Sequence, residues 1–335
     1  MSVGLNGGVF PTGLATGIGS LPLTDPSAAA ETVLRLHPDL PAIPQLAVRA
    51  EGVVAQWAVA LPEITVLPDG SLALDPARMG EEIAPEFTLV SHAGLLGFLD
   101  AATVHPQAIT RVKAQIVGPL TLGVALVRAG MDVDRAFARA QEAVAAWLIA
   151  LEALLARRLR GVRPVIFVDE PALVLWRRGD APIEREDAID LLSGALAACT
   201  VETGVHICGD GDLRLAFEAG ATVLGIPVSN AVTDDIGSLV RHLDADGWIA
   251  WGAVPTDRPI GESPDPLWRQ LVTLWCDLTR RGCDPLQLRN QAIITPACGL
   301  ATHGISQAEH ALALATELAE RVATQSAAAR LTAGA

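Results

Sequence analysis

Short apolar runs alternate along the chain with longer stretches in which apolar residues recur every three or four positions. Eight of the runs read as buried strands, at residues 14–20, 42–46, 112–117, 164–168, 205–209, 222–226, 248–254 and 291–295. Each is short, nearly continuous in Val, Ile, Leu or Ala, and bounded by Gly, Pro or Asp. The longer stretches predict helices at 26–36, 50–60, 87–101, 120–128, 133–160, 184–198, 212–218, 234–243, 266–281 and 306–323. Asp25 and Asp132 stand where an N-cap belongs. One segment breaks the alternation. Residues 64–67, the turn Pro68-Asp69-Gly70 and residues 71–74 have hairpin patterning, so a small β-hairpin excursion is expected near residues 63–75.

Strands that are apolar throughout and alternate with helices indicate a parallel sheet covered on both faces. Eight such units in one chain of this length predict an α/β fold, a single (β/α)8 TIM barrel over residues 13–325. Residues 1–12 and 326–335 are expected to be flexible termini. An open doubly wound sheet is the competing architecture. The polar residues favour the barrel. Ser20, Gly118, Asp169, Glu170, His206, Cys208, Pro255 and Cys298 all fall where a strand ends. A barrel assembles its site from the C-terminal ends of many strands, whereas an open sheet concentrates it at one switch point.

Composition narrows the function classes. The formal net charge is −14, so nucleic acid is not an expected partner. No apolar run reaches the ~20 residues of a membrane span, and no membrane partner is expected. The N-terminal stretch lacks a basic region followed by an apolar core, so no secretory leader is expected. Five cysteines at irregular spacing do not form a disulfide framework. A reducing, cytoplasmic setting fits them. Lys113 is the only lysine among 24 basic residues.

The chemistry concentrates in Val205-His206-Ile207-Cys208-Gly209. Side chains two apart on a strand share a face, so His206 and Cys208 project together at a strand's C-terminal end. Imidazole nitrogen and thiolate sulfur suit a transition ion such as zinc. Cys298, in Pro296-Ala297-Cys298-Gly299, is the best candidate for a third ligand. The alternative for this trio is a buried histidine with inert buried cysteines. Asp169 and Glu170 have their own alternatives, capping a helix or pairing with Arg177 or Arg178. Lys113 could equally form a strand-end salt bridge. Cys199, Cys276 and Cys283 read as structural.

Five motifs then occur in order: Thr16-Gly17-Ile18-Gly19-Ser20-Leu21-Pro22, Lys113-x-Gln115-x-x-Gly118-Pro119-x-Thr121, Val168-Asp169-Glu170-Pro171-Ala172-Leu173, His206-x-Cys208 and Thr295-Pro296-x-Cys298-Gly299-Leu300. Together they resemble the C-terminal catalytic barrel of cobalamin-independent methionine synthase, in a superfamily shared with uroporphyrinogen decarboxylase. The resemblance spans roughly residues 13 to 320 and points to the short, single-barrel members. It implies a zinc-dependent methyltransferase that methylates a small-molecule thiol, most simply homocysteine to methionine. His206, Cys208 and Cys298 would hold Zn2+. Ile18, Gly19, Ser20 and Asp169 would bind the amino-acid end of the thiol, with Asp169 the candidate catalytic residue. Lys113 and Glu170 fall within the same motifs and are further candidates for the substrate site.

The chain departs from that family at three positions. Pro227 stands where a glutamate ligand is expected, leaving water, Asp210 or Ser229 as a fourth donor. Gln45, Leu46 and Ala47 replace a second amine-binding glutamate. Asp257 is the only acid near the place of a proton-donating histidine. A methyl group leaving a folate nitrogen needs that proton, whereas a methyl-corrinoid does not, so methyl-corrinoid is expected to be a better donor than methyl-folate. Two other functions compete. A uroporphyrinogen-decarboxylase-like enzyme would want clustered arginines near the first strand, and residues 13–23 have none. A repurposed barrel would bind a small molecule without methyl transfer.

Overall fold

The computed structural model describes residues 10–104 and 109–333, with side chains to residue 328. Residues 1–9 and 334–335, expected as loose termini, lie outside the described residues. The strands are β1 (Leu14–Ala15), β2 (Ile64–Val66), β3 (Leu72–Leu74), β4 (Arg111–Val117), β5 (Arg163–Asp169), β6 (Glu202–His206), β7 (Val223–Pro227), β8 (Trp248–Val254) and β9 (Ala292–Pro296). Seven of them form one curled parallel sheet in the order β1-β9-β8-β7-β6-β5-β4, flanked by helices. β2 and β3 pair antiparallel as the expected hairpin.

The run at 42–46 forms two isolated bridges, from Ala42 to Lys113 and from Gln45 to Ser20. The Ile43 N–H donates to Lys113 O at 2.8 Å and the Gln45 N–H to Gly19 O at 2.9 Å. The segment therefore bonds to β4 on one side and to the chain following β1 on the other. Pro41 and Pro44 carry no N–H, which is why a continuous ladder does not form there.

Two layers of apolar side chains hold the sheet. The larger lies between sheet and helices and includes Trp147, Trp251 and Trp275. The smaller joins Leu14, Val165, Phe167, Val223, Ala250 and Ile293 with Phe10 and Trp248. Phe10 meets Trp248 edge-on at 5.2 Å. This second layer fills the concave side beneath the strand ends.

Several helices differ from their predicted bounds. The stretch 50–60 contains only a 3-10 turn, Arg49–Glu51, and one α turn, Ala55–Ala58. Gly52 is extended there, and Glu51 accepts from the Leu46 N–H at 2.7 Å and the Gly94 N–H at 2.9 Å, tying the segment back. The next helix begins at Ala93, not 87. Phe87 and His92 instead pack edge-on with Trp57 and Trp147. A short helix at Leu173–Arg178 was not expected, and it ends at Gly179, φ 76°. The last helix runs from Ile305 to Ala333, beyond the expected 323. Ser326 is buried and bonds Asn290, so that turn is packed and not frayed. No helix among the described residues is long and apolar enough to cross a membrane.

Candidate metal centre

Strand alternation puts Val165, Phe167 and Asp169 of β5 on one face. Parallel register sets Phe167 beside Gly204 and Asp169 beside His206. The two apolar side chains lie in the interior layer, and Asp169 comes last, at the rim. Glycines on the neighbouring strands make room for these side chains. A Cβ on Gly204 would come 2.7 Å from the Phe167 ring, and one on Gly225 would come 3.0 Å from His206 Nδ1.

His206 closes β6, and Cys208 follows two residues on, facing the same way. Cys298 arrives from the turn after β9. Cys208 Sγ lies 3.2 Å from His206 Nε2 and 2.7 Å from Cys298 Sγ. All three ligand atoms lie within 4.8 Å of one another, the one such group among the described residues. The cysteines are free thiols. The contact between the sulfurs splits their acidities. Accepting from Cys208 and lying near His206 pulls the Cys298 thiol well down, while the same bond, burial and nearby acids push Cys208 up. One imidazole and two sulfurs, half-buried and converging, fit a borderline divalent ion. To share a divalent ion the two sulfurs would have to stand farther apart than 2.7 Å.

The turn Ile18-Gly19-Ser20 abuts this centre. Leu300 N–H donates to Ser20 O at 3.0 Å, and a Cβ on Gly299 would lie 2.0 Å from Ser20 Oγ. Gly19 has φ 136°, and a Cβ there would collide with the Gln115 amide at 2.2 Å. The turn is held from below by β4. Lys113 Nζ donates to Ile18 O at 2.6 Å and sits 4.6 Å over the Phe167 ring. Gln115 donates to Ile43 O at 2.7 Å. Lys113 is only 1% exposed, and burial lowers its pKa to about 8 against the pull of Asp169. Among the described residues it forms no salt bridge within 4.0 Å, and its side chain is buried. Its place is that of an internal strut under the turn.

Asp169 and Glu170 diverge, as adjacent strand residues must. Asp169 Oδ1 is buried without a hydrogen-bond partner. Burial raises its pKa, opposed first by Lys113 and then by His206. Glu170 points the other way and is fully buried. It accepts from the Leu120 and Thr121 N–H groups, both at 2.8 Å, and from Thr121 Oγ1 at 2.6 Å. These donors open the helix Pro119–Arg128, so Glu170 caps a helix with both oxygens engaged. Neither acid pairs with Arg177, which reaches Asp234 at 3.8 Å.

Pro227 ends β7 and offers no donor. Asp210 and Ser229 line the space beside the sulfurs, and Asp210 does not join the three-residue group. Gln45 is committed to Gln56 at 3.0 Å. A cavity of about 780 Å³ opens over the ends of β7 and β8, with Cys208 and Cys298 in its wall. Two supports lay outside the expected site. Gln115 is signalled by its two-residue spacing from Lys113, which puts both on one face. Nothing in the local sequence marks Gly225, whose role is to leave space for His206.

No model of a known protein family matches the chain, and no curated protein matches it. The resemblance to the methionine synthase barrel therefore rests on the five motifs.

Proposed function

We propose that the protein is a zinc-dependent methyltransferase acting on a small-molecule thiol, with homocysteine, giving methionine, as the best-matched acceptor. The observation that carries this reading is the meeting of one imidazole and two cysteine sulfurs beside a buried carboxylate with an unpartnered oxygen. We further propose that residues 41–47, bonded to both edges of the curled sheet, complete a single (β/α)8 barrel of the methionine-synthase type working in the cytoplasm. His206 Nε2, Cys208 Sγ and Cys298 Sγ would hold Zn2+. Bound there, zinc would strip the proton from a coordinated substrate thiol and supply a thiolate at neutral pH.

The chain's own residues do the rest. Asp169 takes the substrate ammonium through a charge-assisted hydrogen bond to its free oxygen. The Ile18-Gly19-Ser20 turn, stiffened by Lys113, Gln115 and Leu300, offers backbone groups to the amino-acid carboxylate. The methyl donor, methyl-corrinoid or methyl-folate, approaches the thiol from the side opposite these groups.

The test is metal content. Protein purified with zinc supplied should carry about one equivalent, and Cys298→Ser should lose most of it, since three donors leave little redundancy. Wild-type protein holding under about a tenth of an equivalent would end the zinc reading. A loaded enzyme that methylates none of a panel of thiols would favour the repurposed small-molecule barrel, to which Pro227 in place of a glutamate also points.

A further inference from the structure

The two sides of the cysteine pair differ in character. On one side stand Ser20, in the turn after β1 against Gly299, and Asp169, at the end of β5 beside His206. The cavity of about 780 Å³ meets the pair from β7 and β8, and Cys208 and Cys298 line that cavity. Its size is that of a site for a drug-sized organic ligand, typically ~300–1,000 Å³. Pro227, Gly252, Ala253 and Ala297 give it low walls next to the sulfurs. Its far wall is different. The helix Asp265–Arg280 turns Arg269 and Gln270 toward the space, and Arg258 enters from the loop after β8.

Gln270 acts as a tether. Its amide donates to Val228 O at 3.2 Å and accepts from Arg258 Nη2 at 3.4 Å, fixing that guanidinium against the exit of β7. Arg258 forms no salt bridge, and Arg269 has neither a salt bridge nor a hydrogen bond among the described residues. Asp210 and Asp257 also line the cavity, but among the described residues neither pairs with Arg258 or Arg269, so in a chain of net charge −14 both guanidiniums stay available to an anion. Their planar donor forks match carboxylate and phosphate oxygens.

We propose that this cavity is the methyl-donor subsite and that Arg258 and Arg269 recognise an oxyanion on the donor at a distance from its methyl group. The inference rests on the thiol-methyltransferase reading, which fixes the cysteine pair as the point of transfer. Two donors carry such an oxyanion. A pteroylglutamate ends in carboxylates, and a complete corrinoid carries a phosphodiester in its nucleotide arm. In either case remote binding energy orients the methyl carbon toward the thiolate. The thiolate forms the new S–C bond while the old C–N or C–Co bond breaks and its electrons leave with the donor; a departing folate nitrogen also takes a proton, for which Asp257 in the cavity lining is the acid at hand, whereas cobalt needs none.

The test is equilibrium binding, read by fluorescence quenching or dialysis, on full-length protein whose zinc content is measured on the same sample. The probes are tetrahydropteroyl-triglutamate, cobalamin, and cobinamide, which is the corrinoid without its phosphodiester. Arg258→Gln combined with Arg269→Gln alters two exposed side chains and should leave folding and zinc content unchanged. Wild type should bind one oxyanion-bearing probe, and the double variant should bind it on the order of tenfold more weakly. Loss confined to the triglutamate identifies a folate donor. Loss for cobalamin but not cobinamide identifies the phosphodiester of a corrinoid. Equal affinity in wild type and double variant, or no binding of either oxyanion probe, overturns the subsite. Absence of zinc from the same wild-type sample would instead remove the reading on which it rests.

Discussion

Replacing Asp169 by Asn separates the substrate role of this residue from any role in fold or metal binding. The carboxylate stands at the rim of β5, its Oδ1 buried without a hydrogen-bond partner. Its backbone carbonyl takes the Gly118 N–H at 2.9 Å and is untouched by the change. It lies outside the three-donor group, so zinc content should not alter. For an incoming ammonium the loss is one charge-assisted hydrogen bond, worth about 1.5–3 kcal/mol, or roughly tenfold to over a hundredfold in affinity. Stability should move the other way. Burial raises the folded-state pKa of Asp169, so the folded protein binds more protons than the unfolded chain as pH climbs above the ordinary aspartate range. Stability then falls with rising pH in that window, a loss the Asn variant does not share. The variant should therefore bind homocysteine more weakly by calorimetry, yet resist denaturant better at neutral pH. Weaker binding with unchanged zinc and raised stability would mark a residue kept for function at the expense of the fold. Unchanged affinity for homocysteine would remove Asp169 from the substrate site.

Two further substitutions address the surroundings. Gly225→Ala puts a Cβ 3.0 Å from His206 Nδ1. The imidazole must shift, and zinc affinity measured by chelator competition should drop about 10–100-fold, as for other residues that orient a ligand; an unaltered affinity would show that His206 tolerates the displacement. Glu170→Ala leaves the Leu120 and Thr121 N–H groups without their acceptor and should cost at least about 2 kcal/mol in urea unfolding. Burial raises the Glu170 pKa from 4.5 to about 7, so the wild type loses stability as pH rises across that range. The gap between wild type and variant should narrow from pH 4.5 to pH 7, and a gap that widened would refute the cap's titration.

Much of the architecture was legible because it rests on period. The parallel strands β4, β5, β7, β8 and β9 are mostly apolar and each lies within a residue of its expected place, whereas β6 was expected at 205–209 and is found at Glu202–His206, three residues earlier, so that Cys208 lies past its end. The segments that resisted are those where tertiary contacts overrule local pattern. Residues 50–60 have helical spacing, but Glu51 spends its carboxylate on Leu46 and Gly94 and leaves Gly52 extended. Residues 87–92 have helical composition, but Phe87 and His92 are drawn into the aromatic cluster with Trp57 and Trp147. The run at 42–46 looks like any buried strand, yet two prolines reduce it to single bridges toward Lys113 and Ser20.

The site shows the same division. The meeting of His206, Cys208 and Cys298 was recoverable from residue type and from alternation, which puts positions two apart on one face. The roles of Asp169 and Glu170 were not separable by type, since both are acids at one strand end. Alternation separates them. Asp169 shares a face with Phe167 and stands over the cavity floor, so Glu170 must face the helices, where the opening turn at Pro119 supplies three donors. Lys113 follows from the same logic. It occupies β4 beside Val165, two rows below the rim, so its ammonium is in the interior layer whatever its charge suggests. There it meets the Ile18 carbonyl, and its burial brings its pKa to about 8. A lone lysine in an arginine-rich chain thus signals a place where a compact, single-point donor fits and a guanidinium fork does not. Its link to the candidate site is indirect, through the Ile18-Gly19-Ser20 turn that it supports at the Ile18 carbonyl.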